Sequence, residues 1–150
     1  MKPRLAILLA FGLLCLKVSA RQNDTLATNE KMKAAAIAKV RQLPEVKEFL
    51  KSPENPEHKR DLKIDNVPHD NFKYYVVKMG YDHDYTFFTL KRFCVDPRTM
   101  KVYFWDIMAD DAGFSTSAII TLSQWRSLRK TAAWQERHTY KNGKLIVLKN

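Results

Sequence analysis

The chain has 150 residues, 45% of them hydrophobic and 11% aromatic, which is typical of one globular domain and argues against a disordered chain. Lys and Arg number 26 against 16 Asp and Glu, for a formal net charge of +10. The excess is local, because residues 126–150 hold seven basic residues and one acidic residue, whereas residues 21–125 hold 16 and 15. This basic C-terminal tail predicts a local role.

The first twenty residues have the features of a secretory signal peptide. Lys2 and Arg4 precede an apolar run, Leu5–Leu16, that is shorter than the roughly 20 residues needed to span a bilayer. The small residues of Val18-Ser19-Ala20 fit a signal peptidase site. The sequence therefore predicts cleavage after Ala20 and a secreted or periplasmic protein that is not an integral membrane protein.

Cleavage would leave Cys94 as the only cysteine of a single mature domain, residues 21–150. A lone cysteine cannot form an internal disulfide, so we expect the fold to depend on its hydrophobic core. Export and the lack of a recognisable nucleic-acid-binding motif argue against a nucleic-acid partner.

The mature chain begins with a predicted helix over residues 29–42. Met32, Ala36, Val40 and Leu43 recur at helical spacing. Pro44 is suited to the first position of a second short helix, whose apolar side would carry Val46, Phe49 and Leu50. The polar, proline-containing stretch 52–60 predicts a loop.

The centre of the chain predicts an antiparallel meander, residues 72–107. A short strand over 62–67 precedes three longer strands, over 72–79, 85–95 and 101–107. The strands are separated by predicted turns at 80–84 and at Asp96–Thr99, where Pro97 pre-sets the second position.

The C-terminal third predicts a loop over 109–118, a short helix over Leu122–Lys130 capped by Thr121 or Ser123, and a hairpin within 137–149. Asn142-Gly143 between strand-like runs is a strong hairpin signal. The predicted fold class is α+β: an N-terminal helix packed on a curved antiparallel sheet, with a short C-terminal helix and a terminal hairpin.

The order helix, strand pair, then Val95-Asp96-Pro97-Arg98-Thr99-Met100-Lys101-Val102 resembles PepSY-type domains, whose last hairpin commonly reads V-D-x-x-T-G-K-V. The resemblance covers about residues 28–106 and departs at Met100, where the family usually has glycine. The chain also resembles small secreted bacterial proteins of unassigned role. The resemblance implies a cystatin-like arrangement and an exported accessory, inhibitory or binding module without catalytic residues; the Q-x-V-x-G loop of cystatin inhibitors is absent.

No arrangement of residues specifies a reaction. Cys94 lies in a strand with no cysteine-centred signature around it, which favours an inert thiol. His83 lies between Asp82 and Asp84 in a predicted turn, where solvated side chains are the expected interpretation. The sequence predicts no enzyme, no catalytic residue, no metal and no cofactor; a small hydrolase using His83 or Cys94 is the third hypothesis.

Two groups of residues are candidates for binding. Aromatic side chains occur on both faces of the meander, so an exposed sheet face or edge could bind a protein or peptide; the candidate residues are Tyr75, Phe88, Tyr103 and Trp105. Arg126, Arg129 and Lys130 are spaced to share a helical face that could bind an anionic envelope polymer or lipid. A sandwiched core and a solubilising surface are the structural alternatives.

Overall fold

A computed structural model describes residues 27–51, 58–109 and 118–148. The chain divides into two compact units, and the boundary between them follows Ala34. In the first unit, residues 27–34 are helical and Lys33 Nζ donates a hydrogen bond to Glu30 Oε1 at 2.7 Å. The second unit contains every other described element.

The predicted N-terminal helices are both present. The first, α1, comprises residues 27–41, and α2 comprises Pro44–Lys51. In the second unit, Ala36, Val40 and Val46 are fully buried, as expected from their helical spacing. Arg60 of the sheet donates from Nη1 to the Phe49 carbonyl oxygen at 2.8 Å, which ties α2 to the first strand.

The larger sheet has five antiparallel strands in the order β1-β2-β3-β4-β5. They are Lys59–Asn66, Tyr75–His83, Thr86–Val95, Val102–Trp105 and Ile119–Thr121. The α+β prediction is confirmed. The first strand begins earlier than predicted, and β5 was missed, because three residues are too few to show an alternating pattern.

Strand register gives the sheet a helix-side face and a charged face. Val77, Phe93 and Phe104 lie opposite one another, and all three are buried. Trp125 packs on this helix-side face, with its ring 4.6 Å from that of Phe104 and nearly parallel to it. The charged face carries Lys78, whose direct partner is Arg92.

The predicted turn over residues 80–84 is wrong, because β2 continues to His83 and the chain reverses at Asp84 and Tyr85. Asp84 adopts a φ of 52°, which a tight hairpin requires. Gly80 instead lies beside a β-bulge, where Met79 pairs with Lys91 but Gly80 pairs with Thr89. A Cβ at Gly80 would lie 1.8 Å from the Phe88 carbonyl oxygen, so glycine permits the close approach of the two strands.

The turn between β3 and β4 is confirmed. The Met100 amide donates to the Asp96 carbonyl oxygen at 2.8 Å. Asp96 Oδ1 accepts the Arg98 and Thr99 amides at 2.8 and 3.2 Å, and these hydrogen bonds lower the pKa of the Asp96 carboxyl.

The C-terminal helix and hairpin are confirmed. Helix α3, Leu122–Leu128, begins with a capping box in which Thr121 Oγ1 accepts the Gln124 amide. A short 3-10 helix, Ala132–Gln135, leads to the hairpin of β6, His138–Lys141, and β7, Lys144–Val147. The Asn142-Gly143 turn has positive φ at both residues, as its sequence predicts. Among the described helices, none combines the length and apolarity needed to cross a bilayer.

Candidate functional site

The β2–β3 hairpin extends beyond β4, and no described strand pairs with the outer edge of β3 in this part of the hairpin. β4 pairs with β3 only from Arg92 to Val95. Residues 86–91 pair with β2 on one side, and no described strand pairs with them on the other. Unpaired backbone amides and carbonyls at such an edge can accept a further strand.

Large apolar side chains are exposed along this free edge of β3. Phe88 and Leu90 expose 44% and 46% of their surface, and Tyr85 is fully exposed at the hairpin tip. The Phe88 ring stacks on Tyr81 at 5.5 Å, which restrains it without covering it. A concentration of apolar surface on one hairpin is a feature of binding sites.

The four aromatic candidates from the sequence do not form one surface. Tyr75 and Trp105 are only 6% exposed, so the expectation that they point outward is wrong. Tyr75 pairs with Val95 on the helix-side face, and the Phe72 ring lies 5.6 Å from that of Trp105. A short loop between β1 and β2 covers the indole, which sequence alternation alone could not reveal.

The other two aromatic candidates differ in both face and exposure. Tyr103 is half-buried on the charged face, where its ring lies 5.6 Å from that of Tyr74. Phe88 pairs with Tyr81 on the helix-side face. Of the four aromatic candidates, only Phe88 therefore presents a substantially exposed ring.

Two of the three basic candidates already bind an internal carboxylate. Arg126 donates from Nε and Nη2 to the two carboxylate oxygens of Glu45 at 2.7 and 3.1 Å. Arg129 Nη2 lies 3.7 Å from Glu45 Oε1, and its guanidinium lies 4.7 Å from the Trp125 ring centroid. Helix α3 ends at Leu128, so Lys130 lies beyond the helical face predicted for it, as an exposed side chain.

Lys91 is a half-buried cation close to the free edge of β3. It pairs with Met79 on the helix-side face, beside the bulge formed by Leu90. Burial lowers the pKa of the Lys91 ammonium, and the positive charge of Arg129 lowers it further. No carboxylate in the described ranges forms an ion pair with it, and no local pattern in the sequence indicates this environment.

The exposed part of the charged face is a network of ion pairs, whereas Val76, Cys94 and Trp105 on the same face are buried. Asp65 binds Arg92 Nε at 2.6 Å and Lys78 Nζ at 3.4 Å. The Lys78 ammonium lies 5.3 Å from the Phe87 ring centroid. Because these charges compensate one another across neighbouring strands, this face is less suited than the β3 edge to an apolar partner.

A buried polar cluster links the large sheet to the terminal hairpin. Asp106 and His138 are each 1% exposed, and His138 Nε2 lies 2.7 Å from Asp106 Oδ2. Tyr140 donates its hydroxyl to the same oxygen at 2.8 Å, and the Met108 amide donates to Oδ1 at 3.1 Å. His138 Nδ1 lies 2.7 Å from the Glu136 carbonyl oxygen, so this nitrogen carries a proton.

Sequence reasoning missed this cluster, because Asp106 lies 32 residues before His138 and 34 before Tyr140 and the three carry no spacing signature. Because its members pack around one carboxylate, the cluster suits a structural role, which is to hold the terminal hairpin to the large sheet.

The hydrolase candidates are separated in the structure. Cys94 is fully buried, and burial raises the pKa of its thiol to about 12, which keeps it protonated at neutral pH. His83 lies at the hairpin end, where its ring is 6.0 Å from that of Phe88. Among residues 27–51, 58–109 and 118–148, no three His, Cys, Asp or Glu side chains are grouped to hold a metal ion.

Comparison with known proteins finds no matching protein-family model, no matching curated protein and no matching solved structure.

Proposed function

We propose that this chain is an exported, non-catalytic binding module that recognises an extended segment of a protein or peptide partner through the free edge of β3. The observation that carries the proposal is the edge at residues 86–91, with which no described strand pairs, together with the exposed side chains of Phe88 and Leu90. Strand addition supplies backbone hydrogen bonds, and side chains beside the edge supply specificity.

A different protein fits this edge better than a second copy of the chain. Antiparallel pairing of two copies over residues 86–91 would place Lys91 of one copy opposite Thr86 of the other, so neither Lys91 would gain a carboxylate. A partner segment that carries an acidic side chain can supply one.

Selection from a display library of random seven-residue peptides on the purified chain tests the proposal. We expect a bound peptide to lose at least about tenfold in affinity with Phe88→Ser, because a ring exposed beside the edge would be buried in the complex. Ile146→Ser is the matched control, since Ile146 is 40% exposed but lies on the terminal hairpin. Fluorescence anisotropy measures both affinities.

Hydrogen–deuterium exchange tests strand addition directly. Bound peptide should slow exchange within residues 86–91 and leave β7 unchanged. The proposal fails if no peptide is selected, if Phe88→Ser binds as the parent chain does, or if protection lies elsewhere. A dimer in analytical ultracentrifugation that Phe88→Ser dissociates would assign the edge to a second copy and overturn the proposed partner.

Binding of an anionic envelope polymer or lipid is the alternative that the basic tail suggests. The ion pairs of Arg126 and Arg129 with Glu45 weaken it, because those guanidinium groups are already engaged. Salt-sensitive binding to anionic phosphatidylglycerol vesicles that Lys130→Glu abolishes and Phe88→Ser preserves would replace the peptide proposal with this alternative.

A further inference from the structure

Lys91 places a positive charge near the free edge of β3, and this charge bears on the chemistry of the partner. It lies on the same face as Phe93, whose ring is 5.8 Å from that of Trp125. Arg129 packs its guanidinium over the same indole. Two cationic side chains, Lys91 and Arg129, therefore lie at the end of the free edge nearest α3.

Only one of the two cations has a described carboxylate partner. Arg129 Nη2 lies 3.7 Å from Glu45 Oε1, a carboxylate that binds Arg126 more closely. Lys91 has no acidic partner among the described residues, although it is half-buried. Taking a cation partly out of water beside a second cation is unfavourable, and the lowered pKa of Lys91 agrees with this. An incoming carboxylate would relieve that cost.

Strand register sets the distance between this charge and the exposed ring. Phe88 lies opposite Tyr81 and Lys91 lies opposite Met79, so the bulge compresses three positions of β3 into two positions of its neighbour. Two strand residues span about 7 Å. A strand added to the other edge would place residues i and i+2, which point to the same face, beside these two side chains.

We propose that the partner segment carries an Asp or Glu two positions from an apolar residue, and that the Lys91 ammonium pairs with the carboxylate while Phe88 contacts the apolar side chain. This inference rests on the proposed function of the β3 edge and specifies the class of ligand: an acidic, partly apolar, extended peptide.

The same peptide selection tests the inference when it is repeated with Lys91→Gln. We expect peptides selected on the parent chain to be enriched in an acid two positions from an apolar residue, and this enrichment to disappear with Lys91→Gln. Lys101→Gln is the matched control, because Lys101 is an exposed lysine beside the β3–β4 turn. It should preserve the enrichment.

A double-mutant cycle assigns the contact. Replacing the peptide acid by its amide should weaken binding to the parent chain by about tenfold and leave binding to Lys91→Gln unchanged, since the charge pair is then already lost. Selected peptides without acids, or acid enrichment that survives Lys91→Gln, would overturn the inference and leave the proposed function intact. Failure to select any peptide on the parent chain would instead overturn the proposed function.

Discussion

At the scale of single residues, backbone conformation and buried polar groups make separate contributions to stability. Met100 has a φ of 54°, in the left-handed region that glycine tolerates and methionine does not favour.

We expect Met100→Gly to stabilise the chain by about 0.5 kcal/mol. Relief of the left-handed strain, about 1 kcal/mol or more, exceeds the added entropy of the unfolded chain. The urea midpoint measures the change. Arg98→Gly, in the same turn but without positive φ, is the control and should destabilise by a similar amount. A lower midpoint for Met100→Gly would contradict the strain argument.

Tyr140→Phe tests the buried cluster around Asp106. The change removes one of the hydrogen bonds to the carboxylate, and we expect a loss of about 1.5 kcal/mol in the free energy of unfolding. Tyr103→Phe is the control, because Tyr103 is only half-buried, and it should change stability by less than about 0.5 kcal/mol. Equal effects of the two changes would mean that the cluster does not clamp the hairpin.

At the scale of elements, Glu45 connects two helices that lie far apart in the sequence. It lies at the first turn of α2 and binds Arg126 of α3, 81 residues later in the sequence. The hydrogen bond from Arg126 lowers the pKa of the Glu45 carboxyl. A single carboxylate thereby holds together two helices on the helix-side face.

We expect Glu45→Gln to cost about 1 kcal/mol at pH 7, a modest value because the Arg126 side chain is 41% exposed. A lowered folded-state pKa contributes stability above the ordinary glutamate pKa of about 4.3, and this contribution is lost as pH falls through the folded value. Urea unfolding from pH 7 to pH 3 should therefore show the two chains converging in acid. Glu136→Gln, at an exposed position outside α2 and α3, should show no comparable change at pH 7. A difference that stays constant with pH would exclude the ion pair as its cause.

The wrong prediction of a turn over residues 80–84 also has its cause at the scale of elements. Gly80 lies in a polar stretch, which suggested a turn, but in the structure it lies beside the bulge between β2 and β3. Glycine suits both structures, and only the neighbouring strand decides between them, because its carbonyl occupies the space of the missing Cβ. The bulge in turn places Phe88 and Lys91 at the spacing on which peptide recognition is proposed.

At the scale of the whole molecule, export is a prediction from the sequence. A bacterial host expressing all 150 residues should yield a periplasmic or secreted chain beginning at Arg21, by N-terminal sequencing and intact mass. A chain lacking residues 1–20 is the control and should stay in the cytoplasm. Recovery of the uncut chain in the cytoplasm would remove export from the proposed function.

The sequence by itself determined the elements: two helices with apolar stripes, a meander with alternating strands, a capped C-terminal helix and an Asn-Gly hairpin. These depend on residues close together in the chain, through periodicity, capping and turn conformation. The tertiary structure alone decided which aromatic rings are covered, which arginines pair with Glu45, and where along β3 the pairing with β4 ends. Each of those outcomes depends on contacts between distant segments, so no local pattern could specify the edge on which the proposed recognition depends.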